Sequence, residues 1–474
     1  MSNILDINNN KEKCQKFTPR EMVETMLDLI GYSTNLIGKK VLENSFGCGN
    51  ILTVIVRRYI EDGIAQKETL QQIAIGLSED IVGIEYDKKQ YSKCVKSLNQ
   101  IAAEFGISKV KWNIHNTDAL KWKYNIKFDF IIGNPPYISY KNIDEDSRNM
   151  IRTNFISCRN GKFDYCYAFI ELGIRCLSAN GKLIQLVPSN IFKNVFAENL
   201  RKMLQSKISV IFEYPTKNIF ESALTSTSIF LYDNSCKSEY VKYKNVTYNI
   251  EHKIKREKLR GKWMFSEIDS TDDTFVRFGD YYNASIVIAT LYNNAFVVSR
   301  NQIDEYGLEE GIIRPAVSPR SLRYHREEYI IFPYSYENGQ LTRISPEEFL
   351  NLYPSIGRYL QKYRKELESR NSDKGANWFE YGRSQALSHL NDNKLLLSTV
   401  ITNEVEVYTL DANTIPYSGI YITQLRKEFT LDYAIEILKS KEFMDYVRKV
   451  GIPVSGTSIR ITCRDINNFK FARR

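Results

Sequence analysis

Asn134, Pro135, Pro136 and Tyr137 close an apolar run, FDFIIGNPPYISY at 128–140, and their types pose the first chemical question. Two adjacent prolines supply no backbone N–H and hold φ near about −65°, so neither a paired central strand nor a regular helix continues through them. The result is a stiff loop. Three acids precede it at the ends of strand-like runs. Glu43 in VLENSFGCGN is followed by Ser45, Gly47 and Gly49, and the two glycines let the backbone turn tightly and approach a ligand. Glu85, before Tyr86 in VGIEYD, places a carboxylate where it can accept hydrogen bonds from both hydroxyls of a ribose, and Asp118, before Ala119 in NTDAL, offers an acceptor for an exocyclic amine. Singly, such turns and helix caps are commonplace. Their order ahead of the rigid loop gives them weight together. No G-x-x-x-x-G-K-[ST] run occurs, so a nucleoside triphosphate is not the expected ligand.

The elements that must position these residues are legible as alternation. Strand candidates are KVLENSF, IVGIEYD, FDFIIG, KLIQLVP, VIFEYP and TSIFLYD, with amphipathic stretches such as 88–104 and 164–179 between them; Asn180-Gly181 reads as a left-handed stop to the latter. Alternation of this kind predicts an α/β fold, a mostly parallel sheet flanked by helices on both faces, with ligands outside the carboxyl ends of the strands. At 474 residues the chain exceeds what one hydrophobic core usually holds. Composition changes near residue 235, and the charged stretch NIEHKIKREKLRGKW at 249–263 reads as a linker or a solvated helix. We expect one domain over 1–250 and a second, mixed α+β domain over 251–474.

The motifs together resemble an S-adenosylmethionine-dependent DNA methyltransferase of the gamma class, the TaqI-like adenine-N6 family of type II restriction–modification. NPPY after a strand, the Glu-x-Ser-x-Gly-x-Gly run, KFTPREMVETML near the amino terminus, GKFDYCYAFIELGIRCLSANGKLIQLVPSNIF and IFESALTSTSIFLY carry the likeness across roughly residues 13–232. The resemblance implies a Rossmann-like methyltransferase fold and S-adenosylmethionine as cofactor, without a metal. It implies that Phe17, Thr18 and Pro19 close over that cofactor and that Glu43, Ser45, Gly47 and Gly49 surround its methionine portion. Glu85, with Tyr86, would hold the ribose, and Asp118, with Ala119, the adenine amine. ENSFGCG departs from the usual DPACGSG of the family, so Asn44 and Phe46 are atypical. Asn134 and the Pro135 carbonyl would accept the two N–H bonds of the target amine, draw its nitrogen towards tetrahedral geometry and aim its lone pair at the methyl group. Pro135 and Pro136 would hold those acceptors still. The target base must leave the duplex to be reached, with Tyr137 stacking on one face and Phe196 on the other; an ordinary core role for Phe196 is the alternative.

The carboxyl-terminal half resembles a target-recognition domain more loosely. Arg314, Arg320, Arg323, Arg383, Gln385 and Arg460 are candidates for reading DNA by residue type, against the alternative of solvated surface charge. The formal charge of +9 favours a polyanionic partner. Eight cysteines without a CxxC pair and four histidines fit neither a disulfide framework nor a zinc site. The polar amino terminus and the lack of a long apolar run predict a cytoplasmic protein. We expect a monomer that clamps double-stranded DNA between its halves, with any restriction endonuclease a separate partner, because no nuclease motif is evident and the cofactor motifs begin about sixteen residues into the chain. Glutamine-N5 methylation of a protein uses the same loop type and is the first alternative. Cytosine-N4 methylation and a non-catalytic DNA specificity subunit are the others.

Overall fold

Nine strands of the amino-terminal half hydrogen-bond into one sheet: β1 (Val41–Glu43), β2 (Ile81–Glu85), β3 (Asn113–Asn116), β4 (Phe128–Gly133), β5 (Leu177–Pro188), β6 (Ile208–Tyr214), β7 (Thr227–Asp233), β8 (Tyr240–Asn245) and β9 (Ile250–Lys255). The computed structural model describes residues 18–214, 226–247, 249–265, 275–337, 340–387, 390–426, 428–455 and 457–472. The spatial order is β3-β2-β1-β4-β5-β7-β6-β8-β9. Strands β3 to β5 pair in parallel. Strand β7 runs antiparallel between β5 and β6. Strand order therefore reverses at β1, where β2 lies on one side and β4 on the other, and the crevice outside those carboxyl ends is where such sheets bind ligands.

Among the described residues, the helices of this half are α1 (Arg20–Ile30), α2 (Asn50–Ala65), α3 (Leu70–Asp80), α4 (Lys88–Glu104), α5 (Glu145–Asn154), α6 (Cys166–Cys176) and α7 (Glu198–Gln205). They divide between the faces because successive strand residues point to opposite sides. Val41, Ile132, Ile184 and Leu186 share a core with Val23, Met26, Ile55 and Leu98 from α1, α2 and α4. Leu42, Ile131, Leu183 and Val187 pack on the other face with Tyr167, Ile170 and Leu200 from α6 and α7. Each such fully buried side chain contributes about 1.5–3 kcal/mol relative to exposure, so strand ends that carry the acids are anchored from both faces.

Two local expectations are corrected. Helix α6 ends at Cys176, and Asn180-Gly181 lies inside β5, where the register with β4 shifts between Phe128 and Phe130. Gly181 is there because backbone comes close: an added Cβ would sit 2.5 Å from the Phe128 carbonyl oxygen. The charged stretch at 249–263 is neither linker nor solvated helix. It forms β9, the outermost strand, paired antiparallel to β8, and then buries Leu259 and Trp263, the latter stacked on Phe192. Lysines and glutamate on an edge strand are what a sheet edge carries to discourage further pairing. Of the stretch IFESALTSTSIFLY, residues 219–225 lie outside the described residues, and Thr227–Asp233 is β7.

Contacts divide the chain into Met1–Glu267 with Ile452–Thr457, and Ile268–Gly451 with Ser458–Arg474. A boundary at 250/251 would cut into β9. The second unit is built from short sheets. One orders Tyr282–Ile286, Ile420–Gln424, Lys394–Leu397 and Val407–Leu410; another orders Val297–Val298, Glu328–Ile331, Ile313–Val317 and Ile415–Pro416. Helices Leu431–Lys439 and Lys441–Val450 cover one of its two apolar cores through Ala434, Leu438, Phe443 and Val447.

Candidate active site

Asn134 follows β4 directly, and its amide is held from two sides. Its Nδ2 donates to Thr18 Oγ1 at 3.0 Å, and its Oδ1 accepts from the Tyr137 hydroxyl at 2.5 Å. The Ser45 hydroxyl donates to the Asn134 main-chain carbonyl at 3.2 Å, tying the glycine-rich turn to the loop. The Tyr137 hydroxyl also lies 2.7 Å from the Leu186 carbonyl on β5. Pro135 is buried and Pro136 half-buried, which fixes the loop by packing as well as by ring geometry.

The acids occupy neighbouring strand ends. Glu43 is 1% exposed, and its Oε2 has no partner among the described residues. Burial, reinforced by the charge of Glu85, raises its pKa well above the carboxylate range. Glu85 is also raised by burial, opposed by backbone donors. Its Oε2 accepts from Gly47 N–H at 2.8 Å and its Oε1 from Asp87 N–H at 2.7 Å, so one carboxylate joins the glycine-rich turn to the start of α4. Asp118 accepts from Leu120 N–H at 2.9 Å, beside buried Ala119. Tyr86 stands 61% exposed next to Glu85. Gly47 and Gly49 both have positive φ, and nothing lies within 4 Å of a Cβ placed on Gly47. Thr18 and Pro19 introduce α1, and Asn50 Nδ2 donates to the Thr18 carbonyl at 3.3 Å. Phe17 lies outside the described residues.

The two atypical residues have different fates. Phe46 is buried against Gly83, whose missing Cβ would come within 2.9 Å of the ring, so the small residue on β2 makes room for the large one. Asn44 is buried with both amide atoms unpartnered among the described residues, and so is Gln185 on β5. Gly133 pairs with Gln185, and a Cβ on Gly133 would lie 3.8 Å from Asn44 Oδ1. The two amides thus flank a residue without a side chain immediately before Asn134. Sequence reasoning passed over Gln185, although a lone glutamine in the apolar run KLIQLVP was its signal.

Phe196 is 38% exposed on the 3₁₀ turn Val195–Ala197, held by an Asn194 cap onto its own N–H, and its ring covers Gly161. It is not a core phenylalanine. The carboxyl-terminal candidates divide. Arg323 forms a two-point ion pair with Glu406, and Arg383 pairs with Asp373 at 2.9 Å. Arg314 is half-buried, its guanidinium 4.3 Å from the Phe332 ring centroid, and desolvation lowers its pKa. Arg320, Gln385 and Arg460 are exposed.

A doubly wound sheet with a reversed seventh strand, acids at consecutive strand ends and a rigid Asn-Pro-Pro-Tyr loop after the fourth strand defines a methyltransferase catalytic unit. Residues 54–220 match the family model described as Eco57I restriction-modification methylase. It is similar to the type II methyltransferase M.BstVI of Geobacillus stearothermophilus, at 23% identity across 94% of this chain and 87% of that one. It is also 23% identical to the type II restriction enzyme and methyltransferase RM.Eco57I of Escherichia coli, over 67% of this chain and 37% of that one. Among solved structures, the Type IIL restriction-modification enzyme MmeI in complex with DNA shares the fold, with a TM-score of 0.61 and 14% identity over 98% of this chain and 65% of that one.

Proposed function

We propose that this protein methylates N6 of a specific adenine in double-stranded DNA, with S-adenosylmethionine as donor, as the modification enzyme of a restriction–modification system. The observation that carries the reading is the fixing of Asn134 at the end of β4 by Thr18, Ser45 and Tyr137. An exocyclic amine is a weak nucleophile because its lone pair is delocalised into the ring. Acceptors that do not move draw its N–H bonds out of the ring plane and free the lone pair for attack. No strong base is needed beforehand, since the nitrogen becomes acidic only as the new bond forms.

The residues present fit the cofactor. The unpartnered, buried Glu43 oxygen can accept a donor, a cationic ligand beside it would favour its ionised form over the neutral one that burial and Glu85 promote, and the open face of Gly47 lets such a ligand approach the backbone. Thr18, Pro19, Glu43, Ser45, Gly47, Gly49, Glu85, Tyr86, Asp118 and Ala119 would hold it, together with Phe17. Bound there, it supplies an electrophilic methyl group on a sulfonium. Phe196, exposed on its turn, would stack on the extruded base, compensating part of the stacking lost from the duplex. Tyr137 would bound the base from the side of β5. Arg320, Gln385 and Arg460 remain the candidates for base or phosphate contact because their side chains are exposed.

Incubation with radiolabelled S-adenosylmethionine and plasmid DNA, followed by digestion to nucleosides, tests the proposal. Label is expected in N6-methyldeoxyadenosine, and Asn134→Ala should reduce it by about 10²–10³-fold or more while still binding the cofactor. Label in N4-methylcytosine or in protein glutamine would overturn the adenine assignment. A wild type that takes up no cofactor would point to a specificity subunit.

A further inference from the structure

Between the Asn-Pro-Pro-Tyr loop and α6 the chain gathers cations that the chemistry above does not use. Residues 139–141, Arg148 on α5, the turn at 162–164, Tyr167, Asn190, Asn194 and Phe196 wall a cavity of about 640 Å³. None of Asn134 to Tyr137 lines it, while Phe196, the residue assigned to the target base, forms one of its walls. Lys141, Arg148 and Lys162 face it, and among the described residues none of the three is in an ion pair. A single carboxylate, Asp164, shares the lining, and it accepts from Cys166 N–H at 3.1 Å. Three cations against one carboxylate favour an anion. The rings favour more than a bare ion. Tyr140 is fixed by Arg152, which donates to its hydroxyl and to the Gly161 carbonyl, both at 2.9 Å, while the Arg148 guanidinium lies 4.9 Å from its centroid. Phe196 is pinned over Gly161, where any Cβ would come within 2.1 Å of the ring. Aromatic faces beside unpaired cations are how proteins hold single nucleic-acid strands, bases on the rings and phosphates on the charges.

We propose that this cavity is a second nucleotide subsite, which takes the phosphodiester and base of the nucleotide next to the extruded target in the same strand. The assignment rests on the methyl-transfer reading above. Phe196 then separates two nucleotides: one face of the turn serves the target, the other the neighbour. Lys162 and Lys141 are exposed, so their substitution leaves packing intact.

The test uses the full chain and a 5′-fluorescein-labelled octadeoxyadenylate, with affinity followed by anisotropy from low to high salt. Lys162→Gln and Arg148→Gln should each reduce the slope of log affinity against log salt by about 0.7, the value for one single-strand phosphate contact. Lys96→Gln on α4, an exposed lysine away from the cavity, should leave the slope unchanged. In the labelled-cofactor assay on plasmid, the two cavity variants should raise KM for DNA while kcat and cofactor affinity stay near wild type. Unchanged slopes and KM in both variants, with wild-type methylation intact, overturn the subsite alone. Failure of the methyl-transfer reading shows separately, as a wild type that forms no methylated nucleoside.

Discussion

At the scale of single residues, the site combines a carboxyl group that burial disfavours as an anion with polar atoms that are tightly held. Glu43 is the clearest case: burial and the nearby Glu85 favour its neutral form in the fold. Its folded pKa lies above the unfolded value, so the folded state binds the extra proton, and stability declines as pH rises above about 4.5. Glu43→Gln removes that penalty. Urea unfolding of the unliganded protein at pH 8 should show the variant more stable than wild type by roughly 1–3 kcal/mol, with the difference shrinking towards pH 4. The same logic fixes the sign for a cationic ligand: its binding favours the carboxylate, releases a proton and tightens as pH rises. Calorimetry in buffers of different ionisation enthalpy would register that proton, while cofactor affinity in Glu43→Gln should be weaker and flat with pH. The placing of Glu43, Glu85 and Asn134 at strand ends was legible because they stand at the ends of apolar runs. Asn44 and Gln185 were not, since a burial without a partner has no counterpart in a linear pattern.

At the scale of elements, the glycine-rich turn and α2 depend on one close contact. Gly49 caps α2 with φ 93° and ψ 22°, and an added Cβ would lie 2.5 Å from Cys94 Sγ on α4 and 3.3 Å from its Cβ. Gly49→Ala should cost about 3 kcal/mol, of which about 1–2 kcal/mol is left-handed backbone and the rest overlap. Adding Cys94→Ala removes the sulfur and should recover the overlap but not the backbone part, a coupling that a double-mutant cycle by urea unfolding measures. The strands at the centre of the sheet were readable from sequence because both faces are buried and the runs are apolar. The misses, Asn113–Asn116, Tyr240–Asn245 and Ile250–Lys255, lie towards its rims. Asn113–Asn116 and Ile250–Lys255 are the two outermost strands, and their polar and charged side chains leave no apolar run to read. The supposed helix stop at Asn180-Gly181 failed for a related reason, since a glycine admits close backbone as readily as a left-handed turn.

At the scale of the whole molecule, the order of contacts differs from the order of the chain. Residues Ile452–Thr457 belong with the amino-terminal unit, although the rest of the carboxyl-terminal half forms the other. Ile452–Ser455 lies against Ser189–Phe192, the turn that leads from β5 towards Phe196. A clean excision of the catalytic half is therefore not available by a single cut. A polypeptide ending at residue 267 should unfold at a lower temperature than the same polypeptide supplied with the 452–457 hexapeptide fused through a short flexible tether, as read by circular dichroism. Swapping everything after residue 267 between relatives would also replace the strand packed against Ser189–Phe192, the turn that leads towards Phe196, so grafts that keep these six native residues should retain more turnover than those that discard them.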